Sequence, residues 1–152
     1  MTWTGATTVY GQRLATAGLT VTPPVKSISY GEPKDLTSNV VHIAYWWGGR
    51  RESNTGGNSF AKVNVEEALT TTVYIPDGVR IPSAIGTIEE YLRAIVDACH
   101  SALWGGWSLS GNVIGISVDD VTAEWQVLSG ITARTATWVT WLDLAWVHDI
   151  VQ

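Results

Sequence analysis

A chain of 152 residues with 45% apolar content has the size and material for one domain with a real core, and its single cysteine, Cys99, excludes an internal disulfide framework and any Cys-rich zinc site. Nine Trp stand against one Phe and one Met, and each Trp brings a large apolar face and an N–H that needs a partner, so much surface must be hidden in the core or between chains. A net charge of −5 without a basic stripe argues against nucleic-acid binding, and no run approaches the roughly 18 apolar residues of a membrane span.

From Thr4 to Gly18 the apolar positions Ala6, Val9, Tyr10, Leu14 and Ala17 recur at helical spacing, with Gly18 placed to stop the helix and Gly5 and Gly11 weakening it. After Pro23-Pro24, residues Val25 to Tyr30 read as a strand, Gly31-Glu32-Pro33 as a turn and Asn39 to Trp47 as a second strand. One face of that strand carries Val40, His42, Ala44 and Trp46 and the other Val41, Ile43, Tyr45 and Trp47, so both faces are expected to be covered. Gly48 to Ser59 is polar and glycine-rich, and it reads as a loop longer than a hairpin needs.

Ala61 to Ile75 alternates Val63, Val65, Leu69, Thr71, Val73 and Ile75 with mostly polar positions, which predicts a long half-buried strand. Pro76-Asp77-Gly78 ends it. After Pro82 a second helix starts at Ser83 or Thr87, where Thr87 and Glu90 fit a capping box, and Ile85, Ile88, Leu92, Ile95, Val96, Cys99 and Leu103 make a continuous apolar stripe up to Gly105-Gly106. A short strand within Asn112 to Val118 precedes two more, Val121 to Val127 and Thr132 to His148. The order predicts a single α+β domain over residues 1–152: a mostly antiparallel sheet with two helices packed on it and a long loop between the second and third strands.

Chemistry finds little material. Gly106-Trp107-Ser108-Leu109-Ser110 departs from a nucleophile elbow at its last residue, and no helix is expected after it. Cys99, His100 and Asp97 are close in sequence, but helical neighbours point about 100° apart, and Cys99 lies on the apolar stripe, where a structural thiol is the simpler reading. His42, His100 and His148 show no metal-ligand spacing, and Asp119-Asp120 with Glu124 reads more simply as a turn before a strand than as a carboxylate pair. No glycine run has phosphate-loop or dinucleotide spacing. The expectation is a protein that is not an enzyme, with no catalytic residue, cofactor or metal.

Trp46-Trp47 leads straight into Gly48-Gly49-Arg50-Arg51, placing two rings and two cations together, and Trp and Arg are the residue types enriched at interface hot spots. Against this stands the reading in which Trp46 is core, Trp47 packs beneath the loop and both arginines are merely solvated. In the last strand Trp138, Leu142, Leu144 and Trp146 share one face while Val139, Trp141, Ala145 and Val147 share the other. One face can meet the helices; a neighbouring subunit is the natural cover for the second. The charge is uneven too: residues 1–82 hold seven Lys or Arg and six acids, residues 83–152 two and eight, an asymmetry able to orient subunits.

The order of parts, Thr4 to Gly18, Val25 to Tyr30, Gly31-Glu32-Pro33, Asn39 to Trp47, Gly48 to Ser59, Ala61 to Ile75, Ile81-Pro82-Ser83 into the long helix, and Val121 to His148, resembles the tail terminator (tail completion) proteins of long-tailed bacteriophages. The resemblance is one of arrangement over nearly the whole chain. It implies a structural virion protein at the head–tail junction, assembled in the host cytoplasm. Such a protein forms a ring, typically a hexamer, that caps the tail tube, stops its polymerisation and offers a face to the head-completion or connector protein. Its partners would be copies of itself, the tube protein and the connector, with no membrane and no sequence-specific nucleic acid. Trp46, Trp47, Arg50, Arg51 and Trp141 are then the candidate subunit or tube interface. If Arg50 and Arg51 meet that partner, replacing both by Ala should leave the fold intact but weaken capping, giving overlong tails. A head–tail connector of the same assembly is one alternative. A carbohydrate-binding module stacking sugars on Trp47, Trp104 and Trp107 is another, and a hydrolase using Ser108 or Asp119 with Asp120 is the least supported.

Overall fold

The computed structural model describes residues 2–54, 61–106 and 108–150, with side chains described for all of these but 54, 61–63 and 145–150. Over them the chain forms α1 (Trp3–Thr20), β1 (Ser27–Tyr30), β2 (His42–Asn54), β3 (Ala61–Pro76), α2 (Ile88–Gly105), β4 (Gly115–Val118), β5 (Thr122–Leu128) and β6 (Ile131–Ile150). Together they make one α+β domain of two helices and a six-stranded sheet.

Both helices start on the signals that their sequences carry. Thr2 lies in extended backbone and accepts the Gly5 N–H at 3.0 Å, and Thr87 accepts from Glu90 N–H while the Glu90 carboxylate reaches back to Thr87 N–H, a complete capping box. Of the predicted stripe Leu92, Ile95, Val96, Cys99 and Leu103 are buried, with Tyr91 added, while Ile88 is only partly buried and Ile85 precedes the helix. Gly18 does not stop α1, which continues to Thr20. It is buried inside the helix, where a Cβ would stand 2.8 Å from the Val25 carbonyl oxygen, so glycine here lets the chain fold back against its own helix.

The strand order is β1-β2-β3-β6, with β4 and β5 pairing in succession along the outer edge of β6. The sheet is mixed rather than wholly antiparallel. β1 pairs β2 in parallel, Ser27 to Tyr30 against His42 to Tyr45, while every other pair is antiparallel. A parallel neighbour requires the chain to cross over before returning, and residues 31–41 make that crossing where a simple turn was expected. Where the loop was expected to begin, β2 instead runs on through Gly48 to Asn54, paired to β3 as far as Asn54 opposite Val63. Residues 55–60 lie outside the described residues.

α1 and α2 pack on one face of the sheet against Ile43, Leu69, Val73, Ile75, Trp138 and Leu142. Tyr10 of α1 is fully buried there, and its hydroxyl meets Thr71 Oγ1 at 2.6 Å and Thr140 Oγ1 at 2.9 Å, joining the helix to β3 and β6; burial pushes its pKa up to about 12. On the opposite face a smaller cluster of Ala44, Tyr74 and Ala133 lies under Leu36 of the crossover, which is tied on by Ser129 Oγ donating to the Lys34 carbonyl at 2.9 Å. β3 is therefore buried on both faces, not half-buried: Leu69, Thr71, Val73 and Ile75 on one, Ala68, Thr72 and Tyr74 on the other.

Candidate functional site

The stretch of candidate interface residues folds as a bulged strand. Trp47 pairs with Leu69 but Gly49 pairs with Ala68, so Gly48 is an extra residue in β2. Gly49 has φ +129°, which favours glycine, and a Cβ on Gly48 would strike the Thr70 hydroxyl. The bulge shifts the alternation by one. Trp47 and Arg50 consequently face the helix side, opposite Leu69 and Glu67, while Trp46 and Arg51 face the other side, opposite Thr70 and Glu66.

On the helix side Glu67 is the organising group. It is only 3% exposed, and its carboxylate accepts from the Trp47 indole N–H at 2.7 Å and from Arg50 Nε at 2.8 Å, with a second Arg50 nitrogen at 2.6 Å. The Arg50 side chain is 43% exposed, and its hydrogen bond and ion pair to Glu67 raise its pKa. Trp3, Trp47, Arg50 and Glu67 line an open cleft of about 350 Å³, with Trp47 itself 54% exposed. Trp47 thus does not belong to the core.

On the far face Arg51 bonds Glu66 through Nε at 3.2 Å and through a terminal nitrogen at 2.9 Å, and its guanidinium carbon lies 4.3 Å from the centre of a Trp141 ring. The Trp141 indole N–H donates to Asp119 Oδ2 at 3.1 Å. Trp46 is partly buried against the Ala44, Tyr74 and Ala133 cluster. The five predicted interface residues therefore divide between two sites on opposite faces: Trp47 with Arg50, and Arg51 with Trp141, Trp46 lying on the latter's face. Neither arginine is merely solvated. The partners that sequence reasoning missed are Glu66, Glu67, Trp3 and Asp119. Glu67 could have been found, since an acid stands in the otherwise core-facing row between Val65 and Leu69.

Apart from Asp119, the catalytic candidates lie away from these two sites. Cys99 is fully buried, which pushes its thiol up to about 12 and leaves it no thiolate at neutral pH. His100 packs edge-on against Trp138, ring centres 4.7 Å apart, and His42 is held between the Ser27 and Ser29 hydroxyls at 2.7 and 2.9 Å; burial lowers the pKa of both histidines. The His148 side chain lies outside those described. Ser108 Oγ accepts from Gly111 N–H in a turn, and Asp119 serves Trp141. Among the described residues no three His, Cys, Asp or Glu gather into a group able to hold a metal, and no helix is long and apolar enough to cross a membrane. Trp104 is 54% exposed at the end of α2, and Trp107 lies outside the described residues.

Compared with protein-family models and with curated proteins, the chain matches none.

Proposed function

We propose that the protein is a structural subunit of a long-tailed phage, a tail terminator whose copies close into a ring, typically a hexamer, at the head–tail junction of the virion. The ring caps the tail tube, halts its polymerisation and offers a surface to the head-completion protein, with no catalytic step and no cofactor. The observation that carries the assembly part of this reading is the two-sided sheet. Its helices occupy one face, while on the other the cover supplied by the described residues is the crossover at one end, leaving the partly exposed Trp46 and Trp141 and the exposed Arg51 to meet another molecule. The phage part rests on the order of elements, which follows the predicted one from the first helix to the last strand.

Sedimentation and native mass measurement test it directly. The purified chain should form a closed ring, alone or on meeting tail tubes, and a phage lacking the protein should grow overlong tails. A monomer that ignores tubes would sink the reading, and rings that bind the portal side and leave tail length unchanged would move the protein to the connector role. One observation keeps a second reading in play: the exposed Trp47 ring beside Trp3, Arg50 and Glu67 has the make-up of a sugar-stacking platform. Binding on a glycan array that disappears with Trp47→Ala would favour it, and silence across a broad array would remove it.

A further inference from the structure

We infer that subunits join edge to edge, with β5 of one copy pairing against β1 of the next so that the sheet continues from chain to chain. The inference rests on the ring reading and specifies its contact. The sheet ends in β1 on one side and in β4 and β5 on the other, and among the described residues neither end has a strand beyond it. Unpaired edges with exposed apolar residues are templates for another strand. Here Leu19 and Tyr30 flank one edge, 61% and 51% exposed, and Val121, Trp125 and Val127 stand along the other at 40%, 52% and 68%.

The two edges match in phase. On β1, Ile28 and Tyr30 pair with Ile43 and Tyr45 of the helix-side face, while Ser27 and Ser29 bond His42 on the far face. On β5, Val121 and Ala123 border a groove against Leu92 and Val96 of α2, on the helix side, while Gln126 turns to Thr135 on the far side. Joining the edges continues an apolar row on the helix face and a polar row on the other. The charges also match: residues 115–128 hold Asp119, Asp120 and Glu124 and no base, residues 19–30 hold Lys26 and no acid, and Arg80 borders the same cleft as Lys26. Because the two edges differ, the contact is head-to-tail, the kind that generates a ring when the rotation closes.

The test compares the full wild-type chain with Val127→Lys, Lys26→Glu and the pair Asp120→Lys with Glu124→Lys, by sedimentation and native mass measurement with and without tail tubes. Each variant should keep the wild-type melting curve and lose the ring, since the changed side chains are exposed and a Lys on an edge strand blocks pairing. Mixing the Lys26→Glu chain with the acidic-edge reversal should restore rings that neither forms alone. Wild-type-sized rings from Val127→Lys and Lys26→Glu would overturn the edge contact and leave the ring reading standing. Intact rings that no longer cap tubes would overturn it as well and assign the edges to the tube protein. A wild-type chain that never assembles would remove both.

Discussion

At the scale of single residues the informative side chain is Glu67, because a carboxylate at 3% exposure is stable only while its partners hold it. Arg50 and Trp47 are those partners. The idea that Arg50 and Arg51 can be removed without touching the fold therefore changes. Arg50→Ala takes a partner from a buried acceptor and should lower the urea midpoint clearly, whereas Arg51→Ala removes a more exposed pair and should lower it less. Adding Glu67→Gln to Arg50→Ala should recover part of the loss, since a neutral amide needs no cation. Equal effects of the two arginine changes would contradict this account. Glu67 was legible only as an irregularity. The sequence shows an acid in an apolar row, but its partners Trp47 and Arg50 lie 20 and 17 positions away, and no spacing rule connects them.

At the scale of elements, the helices were the most legible parts, since caps and stripes are local. Thr87→Ala should cost about 1 kcal/mol by removing the capping hydroxyl, read as a lower thermal midpoint. β2 was legible only to Trp47. Gly48-Gly49 followed by a polar run has the composition of a loop, and what keeps it a strand is the ladder to β3, which supplies Glu66 and Glu67 opposite Arg51 and Arg50. The bulge then decides which arginine faces which side. Gly49→Val puts a β-branched residue at φ +129° and should cost about 1–3 kcal/mol, with a shift in tryptophan emission as Trp47 leaves Glu67. Unchanged emission at equal stability would show that the bulge does not position Trp47.

At the scale of the molecule, the two covers of the sheet also set its response to acid. His100 projects from α2 against Trp138 with Asp97 nearby, and His42 lies on the far face between Ser27 and Ser29. Burial holds both below the ordinary value of about 6.5, so between their folded values and that value the unfolded chain binds more protons. Stability from this source is complete above pH 7 and falls as the pH drops below about 6.5. The urea midpoint should be lower at pH 5.5 than at pH 7.5, and His100→Gln should flatten the difference. A midpoint that rises on acidification would contradict the assignment.

The sequence by itself determined one domain, two helices with the start signal of the second, the strand order along the chain and the opposite facing of neighbouring tryptophans, because propensity, capping and alternation act between residues a few positions apart. Only the tertiary structure decided the parallel pairing of β1, the double burial of β3 and the division of the candidate interface into Trp47 with Arg50 and Arg51 with Trp141. Those depend on which strands become neighbours and on a single bulged residue. Strand pairing joins positions as distant as Lys62 and Asp149, and local pattern carries no record of that choice.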